Sequence, residues 1–201
     1  MQAQADERLE KVAEADFPTG YGHFHICAFR QGEDEAVALV MGNPAASEAP
    51  LVRIHSQCLT GDVFGSQRCD CRDQLELALQ RISAKGAGLV IYELKEGRGI
   101  GLMAKLQAYQ LQDQGVDTVE ANRRLGFAAD LRDYALPAAI LRHFGVGAVR
   151  LLSNNPQKVE ALEKAGIRVR ERLACEVKAS GHRRRYLKTK KDKLGHLLSE
   201  V

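Results

Sequence analysis

Three cysteines crowd one short stretch of the chain. Cys58 sits in the segment RIHSQCLTGD, and Cys69 and Cys71 flank a single aspartate in RCDC. Residues two apart in an extended chain point the same way, so Cys69 and Cys71 can present sulfur to one centre, while a turn at Gly61 lets Cys58 fold back. Thiolates are soft ligands that select zinc among common cellular metals. The ligand count then decides the chemistry. Structural zinc is closed by four protein ligands, whereas three leave a position for water, whose pKa on zinc can fall to about 7, where hydrolysis becomes possible at neutral pH. Spacing alone leaves three readings open: a three-ligand catalytic zinc, a closed site with His55 as the fourth ligand, or three buried thiols without metal.

Two further segments have the composition of anion sites. Glu96-Gly97-Arg98-Gly99-Ile100-Gly101 follows an apolar run and precedes a helical one. Its glycines let backbone N–H groups approach an anion, and Arg98 adds a planar fork. The spacing matches neither a Walker loop nor a dinucleotide fingerprint, and a plain strand-to-helix turn explains it equally well. Ser153-Asn154-Asn155-Pro156-Gln157-Lys158 brings a hydroxyl, a helix start and a lysine to the end of a strand, where α/β folds bind ligands; a simple helix cap at Asn155-Pro156 is the competing reading.

The elements that must carry these segments follow from periodicity. Residues 22–30 and 35–41 are β-rich runs around a polar turn, which predicts a hairpin. Residues 1–15 read as helical or frayed, and 42–50 as a flexible, small-residue loop. A strand is expected over 51–55. Over 73–85, Leu75, Ala78, Leu79 and Ile82 fall at helical spacing before Gly86. Residues 88–92 predict a buried strand, 102–114 a helix, and 133–144 a helix that tolerates Pro137 only in its first turn. A strand at 149–153, a helix from Asn155-Pro156 to Gly166 and a strand at 167–170 complete an alternation that favours an α/β sheet.

Composition narrows the class. The chain has 201 residues, 45% of them hydrophobic and 27% charged, the balance of an ordinary globular protein. With five cysteines, an odd number, a closed disulfide framework is disfavoured. No apolar run approaches the ~18 residues of a membrane span and no signal-peptide pattern opens the chain, so a cytoplasmic, membrane-free protein is expected. The formal charge is only +3, but residues 182–193 are strongly basic, either as a solvated helix face or as a phosphate- or RNA-facing surface. No tryptophan and no aromatic cluster accompany that run, so nucleic acid is not the expected partner.

Taken in order, HSQCLTGDVFGSQRCDC, KEGRGIGL, YQLQDQG at 109–115, DTVEANRRLGFAADLRDY at 117–134 and LLSNNPQKVEALEKAGI at 151–167 resemble the GTP cyclohydrolase II family. Pro18-Thr19 with Gly22, and Thr189-Lys190 with Gly195-His196, fit as well. The resemblance spans roughly residues 16–198 and implies one domain, 1–201: an α/β fold with a mixed sheet flanked by helices and an N-terminal β-hairpin region. It also implies zinc-dependent hydrolysis of GTP that opens the guanine imidazole ring, with release of formate and, assisted by magnesium (Mg2+), of pyrophosphate. The product is 2,5-diamino-6-ribosylamino-4-pyrimidinone 5'-phosphate, on the way to riboflavin. By position, the resemblance assigns one catalytic zinc (Zn2+) per chain to Cys58, Cys69 and Cys71. GTP contacts fall on Arg53, Ile54, His55, Ser56, Gln57, Gln74, Glu96, Gly97, Arg98, Thr118, Ser153 and Lys158. Asp130 matches the proton acceptor, Tyr109 a catalytic-site tyrosine, and Arg132 a catalytic residue, either nucleophile toward the α-phosphorus or stabiliser of departing pyrophosphate. A homodimer is implied too. On residue chemistry alone Asp130 reads as a helix cap and Tyr109 as helix packing. Gln57 stands where glutamate is usual, removing a charge beside a metal ligand, and Ser153 stands where threonine is common.

Overall fold

The computed structural model describes residues 8–128, 130, 132–177, 181 and 184–199, and its framework is one mixed seven-stranded sheet in the order β1-β2-β3-β5-β4-β6-β7. The first three strands, β1 (Glu10–Thr19), β2 (Gly22–Gln31) and β3 (Asp34–Met41), form an antiparallel meander, and β3 pairs antiparallel with β5 (Gly88–Glu93). Beyond it, β5, β4 (Leu51–Ser56), β6 (Ala148–Leu152) and β7 (Arg168–Leu173) run parallel. The predicted α/β class and the hairpin are both present.

Alternation in β4 dresses the two faces of the sheet. Val52 and Ile54 enter a core built with Leu89, Ile91, Val149 and Leu151 under α5 (Ala135–His143) and α6 (Pro156–Lys164). Leu51 packs on the other face with Val90, Leu152 and the apolar stripe Ala78, Leu79 and Ile82 of α2 (Cys71–Lys85). Each fully buried Leu or Ile contributes about 1.5–3 kcal/mol. Arg53 and His55 share the face of Leu51, so the period of two aims them toward α2. Gly86, at φ +71°, closes α2 in the left-handed conformation expected of a C-terminal glycine.

The remaining helices are α1 (Leu59–Asp62), α3 (Gly101–Asp113), α4 (Thr118–Arg124) and α7 (Arg184–Leu194). Pro137 is the third residue of α5, within the first turn, where its missing N–H costs no helical bond. Asn155 caps α6 by accepting from Gln157 N. The expectation of a helical or frayed N-terminus is overturned over residues 10–15, which belong to β1; residues 1–7 lie outside the described residues. The reason is partnership. Ala13, Ala15 and Phe17 alternate with Glu14 and Asp16, but Glu10–Thr19 is exposed nearly throughout and holds its place through the ladder that β2 offers it. Residues 182 and 183 of the basic run are likewise outside the described residues, and 184–194 form α7. Among the described residues, no helix is long and apolar enough to cross a membrane.

Candidate active site

A pocket opens where the parallel strands β4, β5 and β6 end, the edge of an α/β sheet at which ligands bind. It gathers Cys58, Cys69 and Cys71 with Arg53, His55, Ser56, Gln57, Gln74, Glu96, Gly97, Arg98, Tyr109, Thr118, Arg132, Ser153 and Lys158. Two of the residues expected at the site do not line it. Ile54 turns its side chain into the opposite core and offers only its carbonyl, and Asp130 reaches the pocket through Arg132.

The thiols converge. Cys58 Sγ and Cys69 Sγ are 3.7 Å apart, and all three sulfurs lie within 4.8 Å of one another. Two ligands ~2.3 Å from a tetrahedral zinc stand about 3.8 Å apart, so the donor set and its spacing fit that ion. The convergence does not arise as expected, because Cys71 is the first residue of α2 rather than part of an extended run. Gly61 makes room for it: a Cβ there would lie 2.7 Å from Cys69 Sγ and 3.1 Å from Cys58 Sγ. His55 is not in the cluster. Its Nε2 meets the Asp62 carboxylate at 3.1 Å, its ring stacks on Tyr92 at 5.3 Å, and burial pushes its pKa down, so the imidazole is neutral. Asp62 also accepts from Cys58 N and from Tyr92 Oη, which fixes the chain as it enters the thiol loop.

Hydrogen bonds from Cys69 and Cys71, with Lys105 adding its charge, pull the Cys58 thiol well below its ordinary range. The same cluster pushes Cys69 up to about 11. The Lys105 ammonium, in contact with Cys58 Sγ, favours negative charge on the cluster at that sulfur. Lys105, on α3, donates to Cys58 Sγ at 3.1 Å and to Glu96 Oε1 at 2.7 Å. The Glu96 carboxylate also accepts from Leu59 N and Gly97 N, so three protein donors hold it and roughly one of its acceptor positions is left for a ligand. Gly97 and Arg98 both adopt left-handed backbone, φ +62° and +65°, which swings the guanidinium of Arg98 to the pocket wall. A non-glycine residue in that region stores strain of about 1 kcal/mol or more, a cost usually retained at functional sites.

The opposite wall is cationic. Arg53 donates to Leu152 O at 3.0 Å and to Gln74 Oε1 at 2.6 Å. Lys158 donates to Ile54 O at 2.7 Å, and burial, with Arg53 and Arg132 nearby, pushes its pKa well down. Such an ammonium gains from an incoming anion. Arg132 grips Asp130 through Nε at 2.9 Å and Nη2 at 2.5 Å and reaches Ser56 Oγ at 3.2 Å. Burial favours the neutral acid at Asp130, but Arg132 outweighs it and holds the carboxyl below its usual range. Burial alone would lower Arg132, yet Asp130 raises it, so the guanidinium stays charged and has no free lone pair. Ser153 Oγ closes the turn before α6, accepting from Asn155 N and donating to Asn155 O. Tyr109 Oη meets Thr60 Oγ1 at 3.3 Å, one contact away from Cys58.

Lys105 and Asn122, which sequence reasoning missed, and Tyr186, Lys190 and His196, to which it gave no individual site role, also line the pocket. Asn122, 2% exposed, has no partner for its Nδ2 among the described residues. Burial, with Lys190 and Arg132 beyond it, pushes His196 down to about 3.

Fold and site together define an α/β protein with an anion-accepting, metal-competent pocket at the ends of its parallel strands. The chain belongs to the GTP cyclohydrolase II family, whose model matches residues 10–174. It is 50% identical over 190 residues to GTP cyclohydrolase-2 of Hahella chejuensis, covering 94% of this chain and 92% of that protein. It is 52% identical over 192 residues to riboflavin biosynthesis protein RibBA of Phocaeicola vulgatus, and 51% identical over 193 residues to RibBA of Bacillus subtilis. Each of these two matches covers 94% of this chain and 48% of the relative, so the chain spans about half the length of those RibBA proteins.

Proposed function

We propose that the chain hydrolyses GTP at a zinc held by Cys58, Cys69 and Cys71. The guanine imidazole ring opens, formate and pyrophosphate leave, and 2,5-diamino-6-ribosylamino-4-pyrimidinone 5'-phosphate remains for riboflavin biosynthesis. One observation carries this reading: three convergent thiols share a single pocket with the basic side chains Arg53, Lys158 and Arg132. A zinc with a free coordination position supplies Lewis acidity and lowers the pKa of water, the two needs of an amide-like hydrolysis. The homology to GTP cyclohydrolase-2 supports the choice of substrate.

The protein's own groups then divide the work. Arg53 and Lys158 receive the triphosphate with its Mg2+, and Ser153 shapes the turn beneath it. Arg98, Gln74, Thr118 and the strand end from Ile54 to Gln57 bound the nucleoside. The remaining acceptor position on Glu96 takes a guanine N–H; adenine would leave it unpaired and be rejected. Arg132 stabilises negative charge as pyrophosphate departs, since a permanently protonated guanidinium is suited to that role and not to attack. Asp130 holds Arg132 in place and is a weak base while so paired. Tyr109 presents its hydroxyl beside the thiol cluster. The glutamine at position 57 keeps hydrogen-bonding capacity without charge. The working form is taken to be a cytoplasmic homodimer.

The test uses purified, zinc-loaded protein with GTP and magnesium. Formate and pyrophosphate should appear in equal amounts, with one zinc per chain and no turnover of ATP. Absence of both products from protein with confirmed zinc would overturn the reading.

A further inference from the structure

The basic run near the C-terminus has no part in the chemistry above, and α7, which carries it, lies beyond residues 10–174 matched by the family model. Its lysines divide. Lys188, Lys191 and Lys193 are exposed, whereas Tyr186 and Lys190, one helical turn apart, face the pocket. The Lys190 ammonium lies 4.7 Å from the centre of the Tyr186 ring and donates to Asp70 Oδ1 at 3.0 Å.

Asp70 is 3% exposed and sits between the two thiols of the Cys69-Asp70-Cys71 turn. Its other oxygen accepts from Gln74 Nε2 at 2.5 Å, and Gln74 Oε1 in turn accepts from Arg53 Nη2 at 2.6 Å. Every link in this chain has a fixed polarity. The ammonium only donates, the carboxylate only accepts, and that decides which end of the Gln74 amide faces Arg53. With the amide oxygen forward, the guanidinium has a partner. If the amide reversed, its NH2 would confront the guanidinium, donor against donor. Deleting the ammonium leaves the Asp70 carboxylate free to turn and removes the constraint at its origin.

We propose that Lys190 is a positioning residue for Arg53, acting through Asp70 and Gln74, and that α7 thereby fastens the cationic wall of the pocket to the turn bearing Cys69 and Cys71. The inference rests on the reading of Arg53 as a triphosphate ligand. It extends the site to a helix whose sequence left a solvated basic face and a phosphate-facing surface both open.

Full-length, zinc-loaded Lys190→Met is compared with wild type and with Lys190→Arg and Lys188→Met, using steady-state kinetics and direct GTP affinity. Lys190→Met should raise KM and weaken GTP binding about tenfold or more, as expected for loss of a charged hydrogen bond, with a smaller change in kcat. Lys190→Arg should recover most of the loss, and Lys188→Met should match wild type. Combined with Gln74→Leu, Lys190→Met should add little to the effect of Gln74→Leu alone, because the two act in series. Wild-type KM and affinity in Lys190→Met, or full additivity in the double variant, overturns the proposal. If Lys190→Met does not fold, Lys190→Gln is read by the same criteria. Wild-type protein that binds GTP without turnover would retire the proposed reaction, while the affinity arm would still judge Lys190.

Discussion

The antiparallel meander and the pocket at the ends of the parallel strands both contain ion pairs, but they treat solvent in opposite ways. In the meander, Lys11–Glu14 has side chains 36% and 62% exposed, and Arg30–Glu35 50% and 46%. Around the pocket, Lys105–Glu96 is 11% and 8% exposed, Arg132–Asp130 11% and 15%, and Lys190–Asp70 14% and 3%. Exposed pairs cost little to form and contribute little. Burying an ion costs several kcal/mol, recovered only with close geometry and further hydrogen bonds, and an apolar replacement is often at least as stable. Packing alone does not lead a fold to collect three such pairs in one place. Their clustering marks a surface built to hold charge for a ligand, and the meander is the scaffold beside it.

The most severe way to test that contrast is to remove the metal corner of the pocket. Cys69→Ser takes away one of three converging sulfurs, and it should abolish both zinc retention and ring opening while the meander stays folded. Metal analysis and formate release would read the outcome, and wild-type zinc content in the variant would refute the ligand assignment. Lys105→Met is the next in size. It strands the Glu96 carboxylate, which keeps only its two backbone donors, and removes the cation beside Cys58. Breaking one side of a buried pair costs about 3–5 kcal/mol, and loss of a group supporting a metal ligand costs about 10- to 100-fold in metal affinity. Chemical denaturation and zinc competition would measure the two effects. A loss under ~1 kcal/mol would place Lys105 among the surface pairs after all.

Acid should find the pocket before the meander. His196 titrates near 3 in the folded chain, against about 6.5 for an unperturbed imidazole. The unfolded state therefore binds the extra proton, so the stability held above about pH 6.5 declines as the pH falls toward 3. Asp130 adds to the decline at lower pH. Its folded pKa is depressed, so its contribution is present above ~3.9 and is lost as the pH drops through the folded value. Melting temperature should therefore fall between pH 6.5 and 4, and His196→Gln should make the slope shallower, leaving the share of His55, which burial also holds neutral. Identical slopes in the two proteins would remove His196 from the account.

The same division separates what was readable in the residues from what was not. Helix α2 was legible because burial imposes a period, and the thiol cluster because the segment around it resembles a known family, spacing alone having left three readings open. Strand β1 was not, although Ala13, Ala15 and Phe17 alternate with Glu14 and Asp16, because its Glu, Lys and Ala residues suit a helix equally well and the strand depends on its neighbour. Helix α4 escaped because it is seven residues long, although Asp117, which accepts from Val119 N and Glu120 N, offered a capping signal. The route by which Cys69 and Cys71 converge depended on where α2 begins, a boundary that spacing does not determine. Lys105 was invisible for a different reason, and Lys190 stood only within a basic run that left a solvated face and a phosphate-facing surface both open. A lysine on a helix reads as solvated until the tertiary fold places a carboxylate over it.

The meander supplies the smallest test and the most informative control. Arg30 donates to Glu35 Oε1 through Nε at 3.0 Å and Nη2 at 2.9 Å, a geometry as close as that of Lys190–Asp70 at 3.0 Å. If hydrogen-bond distance set the strength of a pair, Arg30→Ala would rival Lys105→Met. If exposure sets it, water screens the charges, replaces the lost bonds and restores side-chain freedom, and the cost falls to about 0.2–1 kcal/mol. Exposure is the term that differs between Arg30–Glu35 and Lys105–Glu96, so the smaller figure is expected, with zinc content and GTP affinity unchanged. A denaturation midpoint displaced as far by Arg30→Ala as by Lys105→Met would mean that the buried pairs are ordinary fold stabilisers, and that their gathering at the pocket carries no functional weight.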